Sequence, residues 1–261
     1  MDKVYLGSNL KMYKTISQTQ QFLARLAELT ADIDRKKATI FIVPSYTALD
    51  RAKQTVTSEQ VMIGAQNMHP EEEGQFTGEI SPLMLREIGV DIVEIGHSER
   101  RHVMGETDEQ ERPKVLSALR HGFTALLCVG ETGEQKELCL SDEVLSTQLK
   151  IGLADVTPDM LKRLWIAYEP VWAIGVNGVP ASAAYADEKH AVIKKVLREL
   201  FGEKSLEIPV LYGGSVNMEN CEELSACPHI DGLFVGRSAW DADNFNQLIR
   251  KAIVSHNKGK L

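Results

Sequence analysis

The sequence has no long apolar run, no excess of positive charge and no cysteines at redox or metal-binding spacing. Without some 20 consecutive apolar residues it offers no membrane-spanning helix. Met1-Asp2-Lys3-Val4-Tyr5-Leu6-Gly7 has no apolar core of the signal-peptide type, so the expected location is the cytoplasm. A formal net charge of −8 argues against nucleic acid or a membrane surface as partner. A positive pocket for a small anionic metabolite would be invisible in that sum. Cys128, Cys139, Cys221 and Cys227 lack CxxC spacing, which favours buried free thiols over disulfides or a metal site. Six of the seven histidines (His69, His102, His121, His190, His229 and His256) show no metal-ligand spacing and read as structural. No Ser/Pro-rich linker or break in composition divides the 261 residues, so residues 1–261 read as one domain.

What is present is a rhythm. Apolar β-type runs recur at Val4–Ser8, Thr39–Val43, Val61–Ala65, Asp91–Ile95, Ala125–Val129, Leu164–Tyr168, Ile208–Tyr212 and Gly232–Val235. Between them, apolar residues three and four apart predict helices over Gln21–Leu29, Pro113–Leu119, Asp142–Leu153, Asp187–Phe201 and Asn244–Val254, with Gly122 and Gly202 as stop signals. Continuous rather than alternating strands indicate a parallel sheet buried on both faces. Eight of them in a chain of this length predict the α/β class and a single (β/α)8 barrel. A doubly wound open sheet is the alternative. One connection, Gln66 to Glu79, is long for a turn. It reads either as a mobile acidic loop or as a dock for a second subunit through Phe76-Thr77.

Ligands of a parallel α/β sheet bind at the carboxyl ends of its strands, and three of those ends carry reactive side chains. Leu164–Tyr168 runs into Glu169-Pro170, and the proline holds the acid on an extended backbone. Glu169 is a candidate general base; the alternative is a polar strand terminus facing water. After the fourth strand comes Gly96-His97-Ser98-Glu99, which looks like a helix start with a hydroxyl cap. A neutral imidazole at His97 can donate a hydrogen bond to a carbonyl. After the first strand come Asn9 and Lys11, whose ammonium suits a phosphate or an enolate oxygen. Glycines follow the last two strands, in Gly213-Gly214-Ser215 and Gly236-Arg237, where backbone N–H groups approach an anion closely. Gly175 offers a further N–H in the loop after Glu169.

Taken together, Asn9-Leu10-Lys11-Met12, Gly96 to Arg101, Ala167 to Gly175 and Tyr212 to Asn217 resemble the signature segments of the triosephosphate isomerase family, in order along the chain. The resemblance implies a cofactor-free, metal-free homodimer, formed through the 66–79 loop, with Glu169 as base, His97 as neutral electrophile, Lys11 as electrostatic stabiliser and Glu99 as its supporting acid. It implies substrate contacts from Asn9, Lys11, Gly175, Ser215, Gly236 and Arg237. That family is itself the standard illustration of a base, a neutral histidine and a closing loop, so these roles are carried over from it.

The chain departs from the family pattern in two places. After Gly175 the family continues Thr-Gly-Lys-Thr-Ala, whereas here Val176-Asn177-Gly178-Val179-Pro180-Ala181-Ser182 is one residue longer, with Pro180 stiffening the far hinge. After the eighth strand Arg237 stands where the family has a second glycine. With Asn67-Met68-His69 and the run Cys227 to Trp240, these resemble the branch that isomerises L-erythrulose 1-phosphate to D-erythrulose 4-phosphate. The expected partner is therefore a small phosphorylated ketose or aldose, with dihydroxyacetone phosphate and D-glyceraldehyde 3-phosphate as the alternative pair. A non-catalytic phosphate sensor would lack one of the strand-end groups. A barrel lyase would need a Schiff-base lysine or a metal set.

Overall fold

The computed structural model describes residues 3–175 and 178–259. Among them eight strands form: β1 Val4–Asn9, β2 Ala38–Val43, β3 Met62–Ala65, β4 Ile92–Ile95, β5 Thr124–Val129, β6 Leu164–Tyr168, β7 Val210–Tyr212 and β8 Gly232–Val235. Each lies parallel to the next and β8 returns to β1, so the sheet is a closed barrel in chain order. This order excludes the doubly wound sheet, which needs a reversal. Every strand lies within two residues of its apolar run. The runs are continuous because both faces are covered: every residue of β2, β5 and β6 is buried.

Inside the barrel Phe41, Val43, Ile92, Leu126, Cys128, Trp165, Ala167, Leu211 and Phe234 pack together. Gly7 makes room for this filling, since a Cβ there would lie 2.1 Å from the Phe41 ring. Among the described residues there are ten α-helices, α1 Ile16–Leu29, α2 Leu49–Thr55, α3 Pro82–Ile88, α4 Ser98–His102, α5 Asp108–Arg120, α6 Gly133–Glu137, α7 Ser141–Gly152, α8 Ala183–Phe201, α9 Cys221–Ala226 and α10 Ala242–Gly259, and all but α4 and α6 add apolar residues to the layer that covers the outward strand residues.

Helix starts differ most from expectation, because capping moves them outward. Thr15 and Gln18 form a capping box that begins α1 before Gln21. Thr107 and Gln110 do the same for α5, which leaves Pro113 inside the helix rather than at its start. The cysteines are free, but only Cys128 and Cys221 are buried; Cys227 is half-buried and Cys139 is exposed. The 66–79 loop, expected to be either a mobile acidic loop or a dock for a second subunit, is bonded near its ends, while residues 71–79 are exposed. His69 N–H bonds Ile80 O at 2.9 Å, Ser117 Oγ bonds Pro70 O at 2.7 Å, and the Phe76 ring lies 4.0 Å from that of His69. No helix among the described residues is long and apolar enough to cross a membrane.

Candidate active site

At the carboxyl end of β6 the backbone of Glu169 is clamped from both sides. Its N–H donates to Val129 O at 2.7 Å, and Gly213 N–H donates to Tyr168 O at 2.7 Å. Both neighbours must be glycine: a Cβ at Gly130 would meet Glu169 O at 1.9 Å, and one at Gly213 would meet Glu169 Cγ at 2.9 Å. The side chain is 3% exposed and so is no strand terminus facing water. Oε2 accepts the Ser98 N–H at 3.0 Å, and Oε1 lies 3.7 Å from His97 Nε2.

That imidazole has a defined tautomer. His97 is itself the N-cap of α4, its Nδ1 accepting the Glu99 N–H at 3.1 Å. The hydroxyl cap expected at Ser98 does not form: Ser98 is the first helical residue, and its N–H serves Glu169. Because Nδ1 accepts, the proton of the neutral ring sits on Nε2, which points at Glu169.

Lys11 adopts a left-handed backbone, φ 50°, unusual for a residue with a Cβ. Three bonds hold it there. Its N–H donates to Asn9 Oδ1 at 2.6 Å, its carbonyl accepts from Gln66 Nε2 at 2.8 Å, and its ammonium pairs with Glu99 at 2.7 Å. Asn9 is fixed in turn by Trp240 Nε1 on its carbonyl at 2.9 Å and by donating Nδ2 to Glu94 Oε2 at 2.8 Å.

Gln66 and Glu94 are functional partners that sequence reasoning missed. The visible signal was a lone acid in an apolar strand, Ile92-Val93-Glu94-Ile95. Burial, and then the charge of Glu169, push the Glu94 carboxyl well above the usual carboxylate range. The same causes, burial first, push the Cys128 thiol up. Glu94, Cys128 and Glu169 form the one group of three potential metal ligands among the described residues, their ligand atoms within 4.8 Å of one another. A buried thiol that keeps its proton is a poor ligand.

The other side of the mouth is looser. Ser215 O accepts from Asn220 Nδ2 at 2.9 Å. Gly175, φ 89°, is exposed, and Gly236 has open space where a Cβ would stand. Arg237 is exposed, and among the described residues no hydrogen bond or ion pair holds its guanidinium. Ser215, Gly236 and Arg237 make no hydrogen bond to Glu169, His97, Lys11 or Glu99. Of the lid expected over 173–180, Val176 and Asn177 lie outside the described residues. Its near hinge is anchored by buried Glu131, a third residue missed, which accepts from Trp172 Nε1 at 2.8 Å, Tyr185 OH at 2.9 Å and Tyr168 OH at 3.1 Å. On the far side Val179 N–H returns to Trp172 O at 3.2 Å.

A buried carboxylate, an imidazole N–H and an ammonium thus converge on one mouth. This set can take a proton from a carbon beside a carbonyl while stabilising the oxyanion that forms.

The chain is similar to known proteins in sequence and in fold. The family model for triosephosphate isomerase matches residues 4–252. An L-erythrulose-1-phosphate isomerase from Rhizobium etli is 46% identical over 250 residues, 95% of this chain and 92% of that protein. One from Brucella abortus is 44% identical over 256 residues, 96% of this chain and 97% of that protein. The crystal structure of triosephosphate isomerase from Bartonella henselae superposes with a TM-score of 0.85 at 34% identity, covering 95% of this chain and 98% of that one.

Proposed function

The chain belongs to the triosephosphate isomerase family, and from that premise we propose that it converts L-erythrulose 1-phosphate to D-erythrulose 4-phosphate with Glu169 as the base. It is a sugar-phosphate isomerase. In the proposed mechanism Glu169 removes the proton from the hydroxyl-bearing carbon next to the carbonyl. The negative charge moves onto the carbonyl oxygen, giving an enediolate. His97 Nε2–H and the Lys11 ammonium stabilise it, and Glu99 holds Lys11 in place. The hydroxyl proton of the deprotonated carbon passes to the former carbonyl oxygen, and Glu169 returns the abstracted proton to the former carbonyl carbon, so carbonyl and hydroxyl have exchanged places and no electron has left the substrate.

The observation that carries the chemistry is the pair formed by Glu169 and the His97 Nε2–H, 3.7 Å apart and both buried. Gly175, Ser215 and Gly236 are assigned to the phosphate through their backbone N–H groups. Asn9 lines the floor of the site. The tetrose is favoured by the 46% identity to the Rhizobium enzyme and by Arg237, exposed and without a hydrogen-bond or ion-pair partner among the described residues, which is assigned to the group a triose lacks. The phosphate charge keeps such substrates from crossing a bilayer, which supports the cytoplasm as the working compartment.

A homodimer through the 66–79 loop is part of the same proposal. The loop is tied to α5 and presents Phe76 45% exposed, and Met12 near the mouth is 92% exposed. Parallel kcat/KM measurements on L-erythrulose 1-phosphate and D-glyceraldehyde 3-phosphate test the substrate. A large preference for the tetrose is expected, and a large preference for the triose would sink the reading.

A further inference from the structure

Directly beneath Glu169, inside the barrel, lies a second carboxyl group that the mechanism does not use. Glu94 is wholly buried on β4, where Ile92 two residues earlier also faces the barrel filling. A carboxyl oxygen of Glu94, a carboxyl oxygen of Glu169 and the Cys128 Sγ all lie within 4.8 Å of one another. Two buried anions that close repel strongly, so one of the two acids carries a proton.

The surroundings decide which. Glu169 accepts a backbone N–H from the first residue of α4 and stands beside an imidazole N–H. Among the described residues Glu94 receives only the neutral amide of Asn9 at 2.8 Å and the weak thiol of Cys128 at 3.9 Å. The charged and titratable groups facing it are Lys11 beyond β1, Tyr46 beyond β2, Cys128 on β5, Glu99 in α4 and Glu169 beyond β6. Lys11 is the one cation of that set, and its ammonium is engaged by Glu99. Oε2 accepts the stronger hydrogen bond, from Asn9, so the proton is placed on Oε1, whose one hydrogen-bond neighbour among the described residues is the weak Cys128 thiol at 3.9 Å.

We propose that Glu94 is a positioning residue that works uncharged: carrying its proton, it orients Asn9 and through Asn9 the left-handed turn that aims Lys11, while keeping a second negative charge out of the site. Asn9 is the link, because one end of its amide donates to Glu94 and the other end accepts the Lys11 N–H at 2.6 Å. An apolar residue at 94 would fill the barrel as well, but would leave the Asn9 Nδ2 without its buried acceptor. The proposal rests on the isomerase reading, and its test separates the two.

The first readout needs no substrate. An unfolded glutamate loses its proton near 4.5, while the folded protein keeps the one on Glu94. Above that pH the native state therefore binds one proton more than the unfolded state, and stability falls as pH rises. E94Q cannot titrate, so its Tm should exceed that of the wild type by a margin that widens from pH 5 to pH 8. A constant margin would overturn the proposal.

The second readout is kinetic, at pH 7.5. E94Q, the neutral isostere, should keep kcat within about threefold of wild type, whereas E94L should lose about tenfold to a hundredfold in kcat, with KM changed far less, because Lys11 is misplaced. E94Q falling as far as E94L would show that the charge is needed and would overturn the proposal, as would E94L at wild-type kcat. If E94L does not fold, E94Q decides on both readouts. Wild-type protein inactive on both sugar phosphates would defeat the functional reading, and the pH dependence of Tm would still locate the proton of Glu94.

Discussion

On the side of the barrel mouth built by β1, β4 and β6, every group assigned to the chemistry is held by another. Glu169 is clamped by Val129, Ser98 and two glycines, His97 by the Glu99 N–H, and Lys11 by Asn9, Gln66 and Glu99. On the side built by β7, β8 and the loop after Glu169, the candidate substrate contacts are backbone groups and one exposed guanidinium without a partner among the described residues. The first side is preorganised because charge develops there in the transition state, and donors that must reorient lose most of their value. The second side is assigned to the phosphate, which both sugars share, and to Arg237, the one group there proposed to tell them apart, on loops that tolerate change. The comparison teaches where each property is encoded: reaction in the buried network, substrate length at the exposed rim.

The comparison can be broken most sharply at Glu169. Glu169→Ala should lower kcat by about 10²–10⁴-fold on every sugar phosphate the enzyme accepts, with Tm little changed. Near wild-type turnover by steady-state assay would refute the mechanism. At the rim, Arg237→Gly should act selectively. A lost charge-assisted hydrogen bond costs about 1.5–3 kcal/mol, so kcat/KM for the tetrose phosphate should fall about tenfold to a hundredfold while the triose value barely moves. Equal loss on both sugars would place Arg237 on the phosphate and erase the distinction drawn here.

The smallest effect concerns stability on the rim side. His190 in α8 is wholly buried, its ring 5.5 Å from Tyr168 and 6.0 Å from Tyr212. Its Nδ1–H donates to Ala186 O at 2.7 Å, and burial pulls its pKa down to about 4 from 6.5. The unfolded chain takes up a proton below 6.5 that the native protein refuses until about 4. The stability contributed is complete above 6.5 and is lost as pH falls through that window. The full loss is about 3 kcal/mol. In His190→Asn, Tm should vary less between pH 6.5 and pH 4 than in the wild type; an unchanged slope would mean that another group titrates there.

The strands were legible because a parallel barrel buries both faces, so each strand is an uninterrupted apolar run whatever its neighbours. Four helices went unread for a related reason: α2, α3, α6 and α9 span at most seven residues, too few turns for a 3.6-residue period to show. Glu169, His97 and Lys11 were legible because each closes or follows a strand at the ligand-binding edge. Glu94 and Glu131 were not, since what makes them matter is a partner far away in the chain: Asn9 lies 85 residues from Glu94, and Tyr185 lies 54 from Glu131.

The places of the strands along the chain, the acid at the end of β6 and the candidate chemistry follow from local sequence, because they depend on the apolarity, size and backbone freedom of adjacent residues. Which nitrogen of His97 holds its proton, why Lys11 sits in a left-handed turn and which of two buried acids is charged were decided only by the closed barrel. Protonation answers to the electrostatic surroundings of a group, and here those surroundings come from β1, β4, β5 and β6 at once.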